Sequence, residues 1–249
     1  MEVTHYDNGR PSWADVTLAD PAAGVSFYTE LFAWEAQDMG EAMGHYTIFS
    51  KNGKPVAGLN GMSGPANWTT YFNVADLEDV TERIEPAGGT VLVGPTTVGT
   101  AGRMAVFTDS TGAPFAAWQA GDHIGAALRN ESGAFISSEL GSSDVAKSKA
   151  FYTAVLDWDW GGKETYPEGV VNGRFVAGVM PPDQFDKHGR PHGPDYWLVC
   201  FDSCVVDADV AKARSMGATV LCEPFTNING KQYAILADPQ GAAFAIYDY

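Results

Sequence analysis

Residues 13 to 18 alternate along the chain. Ala14, Val16 and Leu18 fall on one side, and Trp13, Asp15 and Thr17 on the other. That period of two predicts a strand with one buried face. The period then lengthens. Asp20-Pro21 supplies an N-cap and a proline at the first helical position, and Ala23, Phe27, Leu31 and Trp34 follow at helical spacing. Residues 45–50 read as a strand, Asn52-Gly53 as a hairpin turn, and residues 55–59 as the returning strand. A second round starts with a strand at 69–74. Its helix runs from about Leu77 to Glu85, stopped by Pro86 and Gly88-Gly89, and strands follow at 90–93, 104–108 and 114–119. Each round is a strand, a helix and then three strands.

The whole pattern is written twice. Asp20, Ala22, Phe27, Tyr28, Thr29 and Trp34 recur without a gap as Asp144, Ala146, Phe151, Tyr152, Thr153 and Trp158. Val56-Ala57-Gly58 returns as Val176-Ala177-Gly178, Trp68 as Trp197, Thr90-Val91-Leu92 as Thr219-Val220-Leu221, and Asp109 with Gly112 as Asp238 with Gly241. The period is far too long for a solenoid, so each copy is a domain. The expected domains are 11–121 and 134–249, joined through residues 120–132. The fold class expected is α+β. Four βαβββ units form two tandem curved mixed sheets, each a half-barrel around a cavity, with outer helices.

Composition narrows the partners. The 249 residues carry a net charge of -16, which repels nucleic acid and anionic membranes. No apolar run is long enough to span a bilayer, and the N-terminal residues lack a basic and apolar leader, so the cytoplasm is the expected location. Cys200, Cys204 and Cys222 form no CxxC and read as reduced thiols. The partner expected is a small molecule, and a homodimer is left open.

The strand, the Asp-led helix with Phe-Tyr, the Trp after it and the Asp-x-x-Gly before the last strand resemble the glyoxalase/bleomycin-resistance/extradiol-dioxygenase superfamily, also called vicinal oxygen chelate. More narrowly, Gly102-Arg103-Met104-Ala105-Val106-Phe107, Ala117-Trp118-Gln119 and His123-Ile124-Gly125 are similar to the two-domain glyoxalase-like proteins of actinobacteria. The fold alone fixes no activity, since it hosts lyases, isomerases, oxygenases and drug-binding proteins. The resemblance does imply where a divalent ion would sit, on His, Gln or Glu of the first, fourth, fifth and eighth strands of a domain. Carried over, those positions fall at Trp13, Thr69 and Ala116 in the first copy, and at Ser137, Leu198 and Ala245 in the second. The fourth strands, 56–60 and 176–180, offer no His, Asp or Glu. Such side chains do not ligate a hard or borderline cation, so no metal and no other cofactor is expected.

Asp15 and Glu139 align with each other, two residues beyond the first-strand position and on the same strand face. Each reads either as a solvated acid at a strand end or as a cavity carboxylate, a general base or an acceptor for a ligand hydroxyl. Trp13 and Trp118 project by parity into the cavity that lacks ligands, which suits a flat apolar guest. Thr69, Tyr71 and His45 complete the expected ligand-binding set, with Asp15 as its polar contact. His45 sits in a predicted strand and fits a packed imidazole as well as a ligand contact. His188 and His192 lie in a Pro- and Gly-rich stretch, 181–194, nine residues longer than its counterpart, and read as a loop or a lid over the second cavity. His5 and His123, in terminal and linker sequence, carry no signal. Cys200 and Cys204 read as small apolar residues.

Two functions follow. The first is a binder of an apolar or aromatic metabolite or antibiotic. The second is a metal-free or atypically ligated isomerase, cyclase, lyase or hydroxylase acting on an aromatic or polyketide-like substrate, with Asp15 or Glu139 as base. An ordinary metal-dependent glyoxalase or dioxygenase is disfavoured by the ligand count. Whether the chain is an enzyme stays open at this level.

Overall fold

The alternation at residues 13–18 forms β1 (Pro11–Thr17), whose Ala14 and Val16 are fully buried, as is Leu18 just beyond it. In the computed structural model, which describes residues 1–181, 194–227 and 230–248, α1 (Pro21–Phe32) follows at once. Asp20 caps it by accepting from the Ala23 amide, and Ala33 ends it in the left-handed region. The first unit closes with β2 (Glu35–Asp38), β3 (Thr47–Lys51) and β4 (Lys54–Asn60). The second unit is β5 (Asn67–Asn73), α2 (Leu77–Ile84), β6 (Thr90–Val98), β7 (Gly102–Thr108) and β8 (Pro114–Ala120). The third is β9 (Phe135–Gly141), α3 (Val145–Leu156), β10 (Asp159–Lys163), β11 (Tyr166–Val171) and β12 (Arg174–Met180). The fourth is β13 (Tyr196–Asp202), α4 (Val206–Ser215), β14 (Thr219–Thr226), β15 (Gln232–Ala237) and β16 (Ala243–Tyr247).

These strands make two eight-stranded curved mixed sheets, ordered β2-β3-β4-β1-β5-β8-β7-β6 and β10-β11-β12-β9-β13-β16-β15-β14. In the first, β1 runs parallel to β4 and antiparallel to β5, and β5 runs parallel to β8. The four strands that carry the superfamily's ligand positions are therefore adjacent at the centre of each sheet. One strand reading needs correction. His45 stands outside β3 with a φ of 58°, following Gly44 in the left-handed region before the strand begins at Thr47.

The helices lie outside each concavity, yet they face the other half of the molecule. Ala14, Val16, Leu18, Phe27 and Leu31 share a core with Val199, Phe201, Val206 and Phe244. Phe72, Leu77, Ile84 and Phe115 share a second core with Leu140, Phe151, Val155 and Trp158. Unit one thus packs on unit four, and unit two on unit three.

Paired polar locks cross the same boundary. Tyr152 Oη donates to Asp109 Oδ2 at 2.9 Å, while Trp197 Nε1 donates to Tyr152 Oη at 2.9 Å. The mirror set is Tyr28 Oη to Asp238 Oδ2 at 2.8 Å, with Trp68 Nε1 to Tyr28 Oη at 3.0 Å. Trp158 Nε1 donates to the Gly9 carbonyl at 2.8 Å, and Trp34 Nε1 to the Gly133 carbonyl at 2.7 Å. Gly9 has a φ of +75°, and a Cβ there would meet the Leu156 carbonyl oxygen at 2.6 Å, so only glycine fits against the tryptophan. The repeated Phe-Tyr, Trp and Asp-x-x-Gly motifs are the fastenings between the halves.

Candidate functional site

The face of β1 opposite the core presents Trp13 and Asp15. Asp15 lies beside Gly58 on β4 and Thr69 on β5, and Trp13 lies beside Tyr71. Tyr46, the residue before β3, leans across Gly58, where a Cβ would meet its hydroxyl at 1.9 Å. That absence of a side chain brings Tyr46 to Asp15. Tyr46 Oη donates to Asp15 Oδ2 at 3.1 Å, Tyr71 Oη to the same oxygen at 2.9 Å, and Trp13 Nε1 to Tyr46 Oη at 2.9 Å.

Asp15 is 3% exposed. Burial pushes its carboxyl up to about 6, against the opposing pull of the Tyr71, Tyr46 and Asn60 side chains. Burial and the Asp15 charge push Tyr46 and Tyr71 well above the ordinary phenol range, so both remain donors. Oδ1 has no hydrogen-bond partner. Asn60 is close enough to favour the carboxylate, but no donor is aligned on that atom. With both phenols on Oδ2, Oδ1 is the oxygen left to take a proton or a ligand's donor.

Trp118, on β8, is buried and donates through Nε1 to the His123 carbonyl at 2.8 Å. The His123 ring stands edge-on to Trp13, with centroids 4.6 Å apart, and is 5.8 Å from Trp118. This imidazole packs against both of the indoles expected to lie beside a flat guest. Burial lowers the His123 pKa to about 4, so it is neutral at pH 7. Thr69 is half-buried next to Asp15. His45 is not in the cluster. It is exposed and pairs through Nδ1 with Asp38 Oδ2 at 2.9 Å.

The second half repeats the arrangement in part, with Cys200 where the first has Tyr71 and Tyr233 of β15 supplying the second phenol. Glu139, beside Gly178 and Leu198, is 8% exposed. Tyr166 Oη donates to Oε1 at 2.6 Å, and Tyr233 Oη to Oε2 at 2.7 Å. Tyr166 crosses Gly178 as Tyr46 crosses Gly58. His188 and His192 lie outside the described residues. Both tyrosines escaped notice in the sequence, although each stands ten residues before a Val-Ala-Gly. His123 had no such signal, because Trp13, against which its ring packs, is distant in sequence.

The superfamily model described as Glyoxalase/Bleomycin resistance protein/Dioxygenase matches residues 10–116 and 134–246. The chain belongs to that superfamily. Among relatives of the superfamily chain, CFP32 of Mycobacterium bovis, named as a glyoxylase, is 35% identical, covering 98% of this chain and 96% of its own. The anthracycline biosynthesis protein DauV of Streptomyces sp. (strain C5) is 36% identical, covering 99% of this chain and 95% of its own. The Mn(II)-bound glyoxalase from Novosphingobium aromaticivorans superposes with a TM-score of 0.68 at 14% identity, covering 97% of this chain and 82% of that one, which shows a shared fold.

The donor chemistry here does not match such an ion. The central strands turn Trp13, Asp15, Asn60, Thr69, Tyr71 and Trp118 toward the first concavity, a set with one carboxylate and no imidazole of its own, the His123 ring being packed against the two indoles. Among the described residues, no group of three or more His, Cys, Asp or Glu could hold a metal.

Gly58→Ala tests how this site is built. The added methyl collides with Tyr46, so the phenol must move and Asp15 loses one donor. The expected cost is about 1–3 kcal/mol of stability, read by denaturant unfolding. An unchanged midpoint would show that Tyr46 does not rest on Gly58.

Proposed function

We propose that this superfamily chain binds a flat, largely apolar ring system on a concave sheet face, against a tyrosine-held carboxylate and without a metal. One observation carries the reading. At the centre of each sheet, a buried acid is held by two phenols amid aromatic and apolar side chains. A buried acceptor facing aromatics selects a guest with a donor on its ring edge and apolar faces. DauV is named for anthracycline biosynthesis, and a hydroxylated polycyclic ring is a guest of that kind.

A second reading is catalytic. With its carboxyl at about 6, Asp15 is mostly ionised at pH 7, and Oδ1 has no donor. Those are the properties of a general base for a ring hydroxyl or an acidic C–H, as in an isomerisation, cyclisation or lyase step. Glu139 is the alternative base.

The test is equilibrium binding of quinizarin, a planar dihydroxyanthraquinone, followed by tryptophan quenching and by the dye's visible absorption. Saturable binding in the micromolar range supports the proposal. No saturable signal up to the dye's solubility limit contradicts it. Product formation by the bound dye or a related hydroxyarene moves the assignment to the second reading.

A further inference from the structure

We infer that the chain pairs with a second copy of itself through β6, an outer strand of the first sheet; this stands apart from whether the chain binds a ring system. Each sheet ends on two strands with a neighbour on one side only, β2 and β6 in the first and β10 and β14 in the second. Three of the four carry charge. β2 has Glu35 and Asp38, β10 has Asp159 and Lys163, and β14 has Glu223. Charge on an edge strand guards it against pairing with another chain. β6 reads Thr-Val-Leu-Val-Gly-Pro-Thr-Thr-Val, nine residues without a charge. Its adjacent Leu92 and Val93 are 54% and 45% exposed. Arg103, opposite Thr97 on β7, is held by Glu78 at 2.9 Å.

The repeat shows that this uncovered edge is particular to the first half. Leu92, Val93 and Thr96 correspond to Leu221, Cys222 and Phe225 of β14. There the Phe225 ring lies against Tyr233, with centroids 5.6 Å apart, Cys222 is buried, and Leu221 packs on the same cluster. In the first half Thr96 stands opposite Met104 and gives no such cover. Val93 stands opposite the half-buried Val106, at the margin of the sheet.

Charge favours a second copy as the occupant. Two chains of net charge -16 repel one another over most of their surfaces. Contact costs least where neither copy brings a charge, and β6 is the edge strand that offers this. Around a two-fold axis the apolar pair of one copy covers that of its partner. Pro95 has no N–H to donate, and β6 is irregular between Val91 and Val93 and again between Val93 and Thr96. Those features prevent a long ladder, so side chains carry the contact. The same surface is used on both copies, and the association closes at a pair.

The experiment is sedimentation velocity of the full chain from about 1 to about 200 µM. Wild type should pass from monomer to dimer across that range. Added sodium chloride should favour the dimer, by screening the repulsion between copies. Leu92→Glu and Val93→Lys each place a charge at an exposed position. Each should raise the dissociation constant roughly tenfold or more, with circular dichroism unchanged. If one variant misfolds, the other decides. A wild-type monomer at every concentration overturns the inference and leaves β6 to a different partner. A dimer undiminished by the substitutions also overturns it, by placing the contact elsewhere. A dimer that salt dissociates overturns it too, because ion pairs rather than an uncharged edge would then hold the copies.

Discussion

Asp109→Ala is expected to lower the thermal midpoint of the whole molecule by about 10 °C. Asp109 Oδ1 accepts from the Thr111 amide and hydroxyl and from the Ala113 amide, and Oδ2 accepts from Tyr152. Alanine leaves the Ala113 amide and the Tyr152 O–H without acceptors in a buried setting, each costing about 1–3 kcal/mol. A total of about 3–5 kcal/mol corresponds to roughly 10 °C in a chain of this size. The damage reaches both halves, because Tyr152 belongs to α3 of the second half and also accepts from Trp197. Thermal unfolding followed by circular dichroism is the measurement. Asp109→Asn keeps an acceptor for the turn and should cost much less. A loss below about 1 kcal/mol in Asp109→Ala would show that this lock does not hold the halves together.

Asp15→Asn is expected to become relatively more stabilising as pH rises. The folded-state value of about 6 lies above the ordinary carboxylate value, so the folded chain binds this proton more tightly than the unfolded chain. The favourable contribution is complete below about pH 4, fades between about 4 and 6, and is gone above. About two units correspond to ~3 kcal/mol of cost for the ionised acid at neutral pH. Asparagine never ionises, so its stability minus that of wild type should rise by about 2–3 kcal/mol between pH 4 and pH 7.5. The difference is needed because His123, with its pKa lowered to about 4, works in the opposite sense, losing stability as pH falls. Urea unfolding of both proteins across that range gives the answer. A flat difference would mean that Asp15 is solvated in the folded state.

Much of the fold was legible, for identifiable reasons. The alternation at residues 13–18, the Asp20-Pro21 cap and the Pro86 and Gly88-Gly89 stop are local signals, and local chemistry decided them. β2 gave no signal because all four of its residues are exposed, so its pairing with β3 leaves no apolar period. The repeated motifs announced two copies, but the partner of each lies in the opposite copy, as with Tyr28 and Asp238. Sequence shows that such residues recur; only packing shows what they touch. The carboxylates and strand aromatics of the site followed from strand parity. Tyr46 did not, because its reach to Asp15 depends on the missing side chain of Gly58 across the sheet. His45 drew notice as a titratable residue, yet its left-handed backbone turns it to an exposed pairing with Asp38. His123 was passed over as linker, and it packs against the very tryptophans proposed to stack on a guest.

The tyrosine-held carboxylates at the centre of the curved sheets are proposed to anchor the guest without a metal ion. The most direct test of that claim is the affinity for quinizarin before and after exhaustive dialysis against a chelator, with the chelator then removed. The account predicts the same dissociation constant and stoichiometry in both samples, and no gain on adding manganese or iron. Binding that disappears after chelation and returns with one equivalent of either ion would contradict it.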